Sequence, residues 1–276
     1  MPFKTILVHV ASDDACIERV KLAAGIAEKF GAHVVALYIT SPVHMPAGIS
    51  GRGASHAFLA EATEIAREKG AALEKEIIDR LGSLGVKSWE WKIEEGDHLE
   101  TLTHYANLAD LAIVAQSEPH TLEDKVVMQI PDHLGLHAPC PVLVFPLHET
   151  APPGIGKRIL VAWKDKREAT RAVREALPFL KSAEEVILFA PVTSNEKFET
   201  GRDISTFLAR HGVNCSARTS SDDRDAGPAI LSLAEAENCD MVVMGAFGHS
   251  RWREMVLGGA TRHILQHMAV PVFMTH

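Results

Sequence analysis

Lys4-Thr-Ile-Leu-Val-His-Val10 and Lys157-Arg-Ile-Leu-Val-Ala-Trp163 are one strand written twice, 153 residues apart. Each is a mostly apolar run rich in β-branched residues, the pattern of a strand buried on both faces. Working outward, Asp110-Leu-Ala-Ile-Val114 recurs as Asp240-Met-Val-Val-Met244, now 130 residues on. The same offset carries Pro141-Val-Leu-Val144 onto Pro271-Val-Phe-Met274, and His133/His137 onto His263/His267. The register holds without a gap from the fourth strand to the end of each copy. The first copy carries 23 more residues between its first and fourth strands. Glu149-Thr-Ala-Pro-Pro-Gly-Ile-Gly156 reads as a linker, its prolines and glycines ending regular structure. The chain therefore reads as two units, residues 1–148 and 155–276.

Each unit alternates short apolar runs with stretches of helical period. The expected strands are Thr5–Val10, His33–Thr40, Val86–Glu94, Leu111–Gln116 and Val142–Phe145, then Arg158–Trp163, Glu185–Val192, Val213–Thr219, Met241–Gly245 and Val272–Thr275. The expected helices are Cys16–Phe30, Ala57–Leu81 and His98–Asn107, then Arg167–Leu180, Arg202–His211, Ala226–Glu237 and Thr261–Met268. Doubly apolar strands separated by helices imply a parallel sheet covered on both sides. The fold class is α/β: two doubly wound, five-stranded, Rossmann-like domains in tandem.

Composition excludes several classes. The 276 residues, 46% hydrophobic and 23% charged, suit an ordinary globular protein of two domains. A formal charge of −8 lacks the basic face that a nucleic acid or an anionic membrane demands. No run approaches the ~18 apolar residues of a membrane span, and no secretory leader is visible. Cys16, Cys140, Cys215 and Cys239 are scattered, as in a reducing, cytoplasmic setting rather than a disulfide frame or zinc site.

One segment carries chemistry. Gly245-Ala-Phe-Gly248, nine residues, then Gly258-Gly259-Ala260-Thr261 begins where the fourth strand of the second unit ends and finishes where a helix starts. That is the carboxyl edge of the sheet, where open α/β folds take ligands. Glycines there admit a phosphate without an obstructing Cβ. The free N–H groups of a helix N-terminus then point at the anion.

The segment resembles the G-x2-G-x9-G-[ST] signature of the universal stress protein family, and the resemblance spans nearly the whole chain twice. It implies the adenine nucleotide alpha hydrolase-like fold and an adenine nucleotide such as ATP as ligand, with no required cofactor and slow hydrolysis at most. It places Met244 and Gly245 beside the adenosine, with Gly248, Gly258, Gly259, Ala260 and Thr261 along the phosphates. Trp163, Lys164, Val192, Ser250 and Arg251 are secondary candidates. It also implies pairing through the last strand, here between the two units of one chain. Exposed sheet edges and a negative surface further allow a homodimer. Two positions depart from the signature. Gly259 replaces a hydroxyl residue, and Lys164 stands where a carboxylate is usual, with Asp165 one place later. A lysine cannot accept from ribose or adenine donors, although it can neutralise phosphate.

The first unit has lost the signature. Its aligned residues are Ala115, Glu118, Met128 and Gln129, with Pro131 opposite Thr261 and Ala11 in the position of the carboxylate. A carboxylate at Glu118 repels phosphate, so this unit is expected to be structural or to hold a different ligand under the Ser41–Arg80 excursion. Within that excursion, Gly48-Ile-Ser-Gly51-Arg-Gly53 reads as a loop.

The histidine pairs, four apart, share a helix face and could ligate metal, but packing or capping explains them better without further ligands. Gly248-His-Ser250-Arg-Trp252 only approaches a nucleophile elbow, since Trp252 replaces its second glycine. Trp89 and Trp91 read as packing residues. The sequence thus points to an adenine-nucleotide-binding regulatory or stress-response protein without a catalytic pair. The alternative is a nucleotide-independent tandem scaffold acting through protein or other small-ligand contacts.

Overall fold

The computed structural model describes residues 2–40, 52–117, 130–147, 154–191, 200–220, 226–246 and 259–276. In the first half the order is β1 (Thr5–Val10), α1 (Cys16–Phe30), β2 (His33–Thr40), α2 (Arg52–Ser83), β3 (Trp89–Glu95), α3 (His98–Ala106), β4 (Leu111–Ala115), α4 (Ile130–His137) and β5 (Val142–Phe145). The second half runs β6 (Arg158–Ala162), α5 (Arg167–Glu175), α6 (Leu177–Ser182), β7 (Glu185–Pro191), α7 (Thr200–Arg210), β8 (Cys215–Ser220), α8 (Ala226–Ala236), β9 (Met241–Gly245), α9 (Gly259–His267) and β10 (Val272–Thr275).

Each half is a parallel sheet of order 3-2-1-4-5, and the two are joined into one ten-stranded sheet, β3-β2-β1-β4-β5-β10-β9-β6-β7-β8. Among the described residues the joint is the only antiparallel pairing, with Val272 opposite Val144, Phe273 opposite Leu143 and Met274 opposite Val142. Alternate residues of the strands feed two apolar layers. Ile6, Val8, Val161, Val243 and Phe273 face one layer, and Leu7, Leu160, Val242, Val272 and Met274 face the other. Both layers run unbroken across the joint. Phe3 and Phe30 of the first half pack on Phe179 of the second at ring distances of 5.3 Å. Arg171 of α5 adds a polar tie, donating to the carbonyls of Pro139 and His276 at 2.6 and 2.9 Å.

Most expected elements fall where the sequence places them. One long helix expected at Arg167–Leu180 is instead two, because Pro178 cannot donate to the preceding turn and the chain restarts at Leu177. β3 begins at Trp89 rather than Val86. α2 starts at Arg52, inside the glycine run expected to be loop; residues 41–51 lie outside the described residues.

The repeat extends to one shared device. The carboxylate before each fourth strand caps the start of the first strand. Asp110 accepts from the N–H groups of Lys4 and Thr5 at 2.8 and 2.9 Å, while Asp240 accepts from Gly156 and Lys157 at 3.0 and 2.8 Å. Two backbone donors at a strand entrance thereby find one acceptor. Removing it leaves both donors dependent on water, so Asp240→Ala should cost about 1–3 kcal/mol in urea unfolding.

Candidate functional site

The described ends of the glycine segment, Gly245 and Gly259–Thr261, lie at the carboxyl edge of the second half. Ala162 of β6 pairs with Met244 of β9, and Gly245 pairs with Thr275 of β10. The tips of β6 and β9, carrying Trp163, Lys164, Met244 and Gly245, are therefore neighbours. Since α9 returns the chain from the carboxyl end of β9 to the amino end of β10, its first residues Gly259, Ala260 and Thr261 start at that same edge. Met244 and Trp163 are buried, whereas Lys164, Asp165 and Gly259 are exposed. Gly248, Gly258, Ser250, Arg251 and Val192 lie outside the described residues.

The two glycines that are described do different things. A Cβ on Gly245 would lie 2.5 Å from the Ala169 nitrogen and 2.7 Å from the Glu168 carbonyl carbon. Gly245 therefore lets the first turn of α5 settle onto the end of β9. A Cβ on Gly259 would meet nothing within 4 Å, so among the described residues no atom crowds that position. Thr261, one turn in, is buried at 4% exposure. A helix N-terminus carries the positive end of the helix dipole, which favours an anion.

Three polar groups surround Gly245, of which sequence reasoning named Trp163 and missed Glu168 and Thr275. Trp163 Nε1, Glu168 Oε2 and Thr275 Oγ1 are all buried and bonded to nothing. Thr275 is level with Gly245 in the pairing of β9 and β10, and Glu168 is brought there by the first turn of α5, so both needed the elements to be placed first.

The aligned edge of the first half carries different residues. Ala115 replaces Gly245, Ile130 replaces Ala260 and is 1% exposed, and Pro131 replaces Thr261 and removes a backbone donor. Glu118, Met128 and Gln129 lie outside the described residues. Beneath α1, the fully buried Arg19 donates to the His9 carbonyl at 2.8 Å and forks onto both oxygens of Asp13 at 3.0 and 2.8 Å. On the opposite face of β1, the His9 ring meets His98 edge-on at 5.9 Å between centroids. His9 Nε2 and His98 Nδ1 are both buried without a partner. Burial, then the Arg19 and His98 charges, hold His9 well below the ordinary value of 6.5. Burial also lowers His98, against the opposing pull of Asp97. Arg19 was legible as a cation on the apolar stripe of α1, and His9 as a polar residue where the second copy has Ala162.

The histidine pairs behave alike in both halves. His137 bonds the His133 carbonyl and His267 the His263 carbonyl, each through Nδ1 at 2.9 Å, and the rings of each pair stack at 4.4 and 4.3 Å. Among the described residues no group of three or more such side chains could hold a metal ion. His263 also packs flat on Gly227 of α8, where a Cβ would come within 3.0 Å. These are helix-end packing contacts.

Against this geometry the comparisons with known proteins are direct. The sequence matches the universal stress protein family at residues 2–146 and again at 156–276. The chain belongs to the universal stress protein family. Among solved structures, a universal stress protein from Archaeoglobus fulgidus DSM 4304 is 18% identical, with 98% of this chain and 95% of that one covered at a TM-score of 0.76. A functionally unknown protein from Pseudomonas aeruginosa PAO1 is also 18% identical, covering 99% of this chain and 92% of its own at a TM-score of 0.59. At these identities the likeness speaks for the fold. No curated protein matches the sequence. No described helix of this universal stress protein is long and apolar enough to cross a membrane.

Two outcomes follow from the two edges. Gly245→Ala must push α5 off the β9 tip, and should lower stability by about 1–3 kcal/mol in chemical unfolding. His9 is neutral in the folded chain and titrates near 6.5 when unfolded. Its contribution is therefore complete above that value and is lost as pH falls below it. Thermal or urea unfolding should show stability declining below pH 6.5 by up to about 1.4 kcal/mol per pH unit for this histidine. His9→Phe should flatten that decline.

Proposed function

We propose that the second half binds an adenine nucleotide and that the chain acts as a regulatory stress protein of the reducing cytoplasm, without rapid chemistry. The observation that carries the reading is the open start of α9. Gly259 is exposed with free space where its Cβ would be, at the carboxyl edge and beside the tips of β6 and β9. Phosphates bind such a helix start through backbone N–H groups, while the sugar and base fit beside Met244 and Gly245. The exposed Lys164 offers a further positive charge to phosphate in place of the carboxylate usual at that position. The first half, with Pro131 and Ile130 at its helix start, takes no nucleotide in this manner.

Calorimetry on the full chain with ATP, ADP and AMP tests the reading. Binding in the millimolar range or tighter is expected. Gly259→Asp should abolish it by setting a carboxylate against phosphate, with the far-UV spectrum unchanged. Gly259→Ser should strengthen it several-fold by restoring a hydroxyl donor. No measurable binding of any of the three would leave the nucleotide-independent scaffold, which the replaced hydroxyl and carboxylate positions favour.

A further inference from the structure

The ten-stranded sheet ends at β3, Trp89-Glu-Trp-Lys-Ile-Glu-Glu95, whose outer edge has no neighbouring strand among the described residues. Its two faces are unlike. Trp89 and Trp91 pack into the apolar layer, with Trp91 stacked on Tyr38 at 6.2 Å, so Ile93 lies on that same face. Ile93 is nevertheless 49% exposed, a large apolar side chain left at the rim. The other face carries Glu90, Lys92 and Glu94. Glu94 is held in place by the Tyr105 hydroxyl of α3, which donates to it at 2.5 Å. That bond to a carboxylate, aided by burial, pushes the Tyr105 hydroxyl up to about 12, so the donor persists at any ordinary pH.

Open edges invite pairing with another chain, and proteins commonly blunt them with charge. Here the charges do something narrower. In an antiparallel continuation by a second copy that keeps each helical layer on its own side, the two-fold axis must pass through a residue of β3. With the axis at Lys92, lysine meets lysine and Glu90 meets Glu94. With the axis at Glu94, glutamate meets glutamate. With the axis at Trp91, Lys92 meets Glu90, its ion-pair partner at 3.1 Å within its own chain, but the central residue is a tryptophan already packed on the core and Tyr38. With the axis at Ile93, the two exposed isoleucines meet on one face, and on the other Lys92 of each copy meets Glu94 of its mate, twice.

We propose that β3 is a homodimer interface, paired antiparallel about Ile93 and closed by two Lys92–Glu94 contacts. The occupant is a second copy of this chain. The interface is isologous, so it closes at two chains and does not propagate. It adds a strand at the end of the sheet, remote in the strand order from the tips of β6 and β9, and does not depend on nucleotide. A single short strand pair with exposed ion pairs makes a weak, salt-sensitive dimer.

Sedimentation velocity of the full chain up to millimolar concentration tests it. A reversible dimer is expected, weakened about tenfold or more by Ile93→Lys and by Lys92→Glu, which lose the central apolar pair or set glutamate against Glu94. The decisive arm mixes chains carrying Lys92→Glu with chains carrying Glu94→Lys. Each self-repels at the proposed register, and the mixture should form a heterodimer because both contacts regain opposite signs. A chain that stays monomeric throughout, a dimer indifferent to Ile93→Lys, or charge variants that do not recover on mixing would overturn the proposal.

Discussion

Four residues on each side hold the molecule together. β5 and β10 are the shortest strands in the sheet, yet among the described residues their antiparallel ladder is the only strand pairing between the halves. Backbone hydrogen bonds alone contribute modestly. What makes the joint firm is that every side chain in it is fully buried, from Val142 to Phe145 and from Val272 to Met274, so both apolar layers pass through it without a polar break. The phenylalanine cluster and the Arg171 ties reinforce the same seam. The halves thereby share a core, and the helices over each carboxyl edge rest on a platform larger than either half could supply.

A duplicated unit can let one copy drift while the other keeps its shape. At Gly245 the helix above needs the absence of a side chain; at Ala115 the first copy has gained one and organised its edge around Arg19, Asp13 and His9. Buried charge of this kind is expensive unless every donor is met, and Arg19 is met by two carboxylate oxygens and a carbonyl. At the first edge these described side chains pair with one another. The second keeps an open helix start.

The repeat, the parallel strands and the position of the glycine segment were legible in the sequence because they are matters of period and spacing. Doubly buried strands have only one reading, and the offset of 130 aligned Asp110 with Asp240 before their shared role was seen. What stayed hidden depended on distances across the fold. Nothing in the sequence says that Gly245 faces a helix rather than a ligand, or that His9 and His98 approach across β1 and α3. The split at Leu177 was visible in Pro178 but was outweighed by the helical period around it. Val192, Ser250, Arg251, Gly248 and Gly258 fall outside the described residues, so their place in the site rests on the family resemblance.

The antiparallel seam has a geometric result. All strands of the first half point one way and all strands of the second point the other. The two carboxyl edges therefore look outward from opposite rims of the sheet. A molecule at the α9 start and a molecule at the His9 edge would never touch. This chain is a two-ended body, and each end can change its chemistry, or give it up, without the other having to accommodate it.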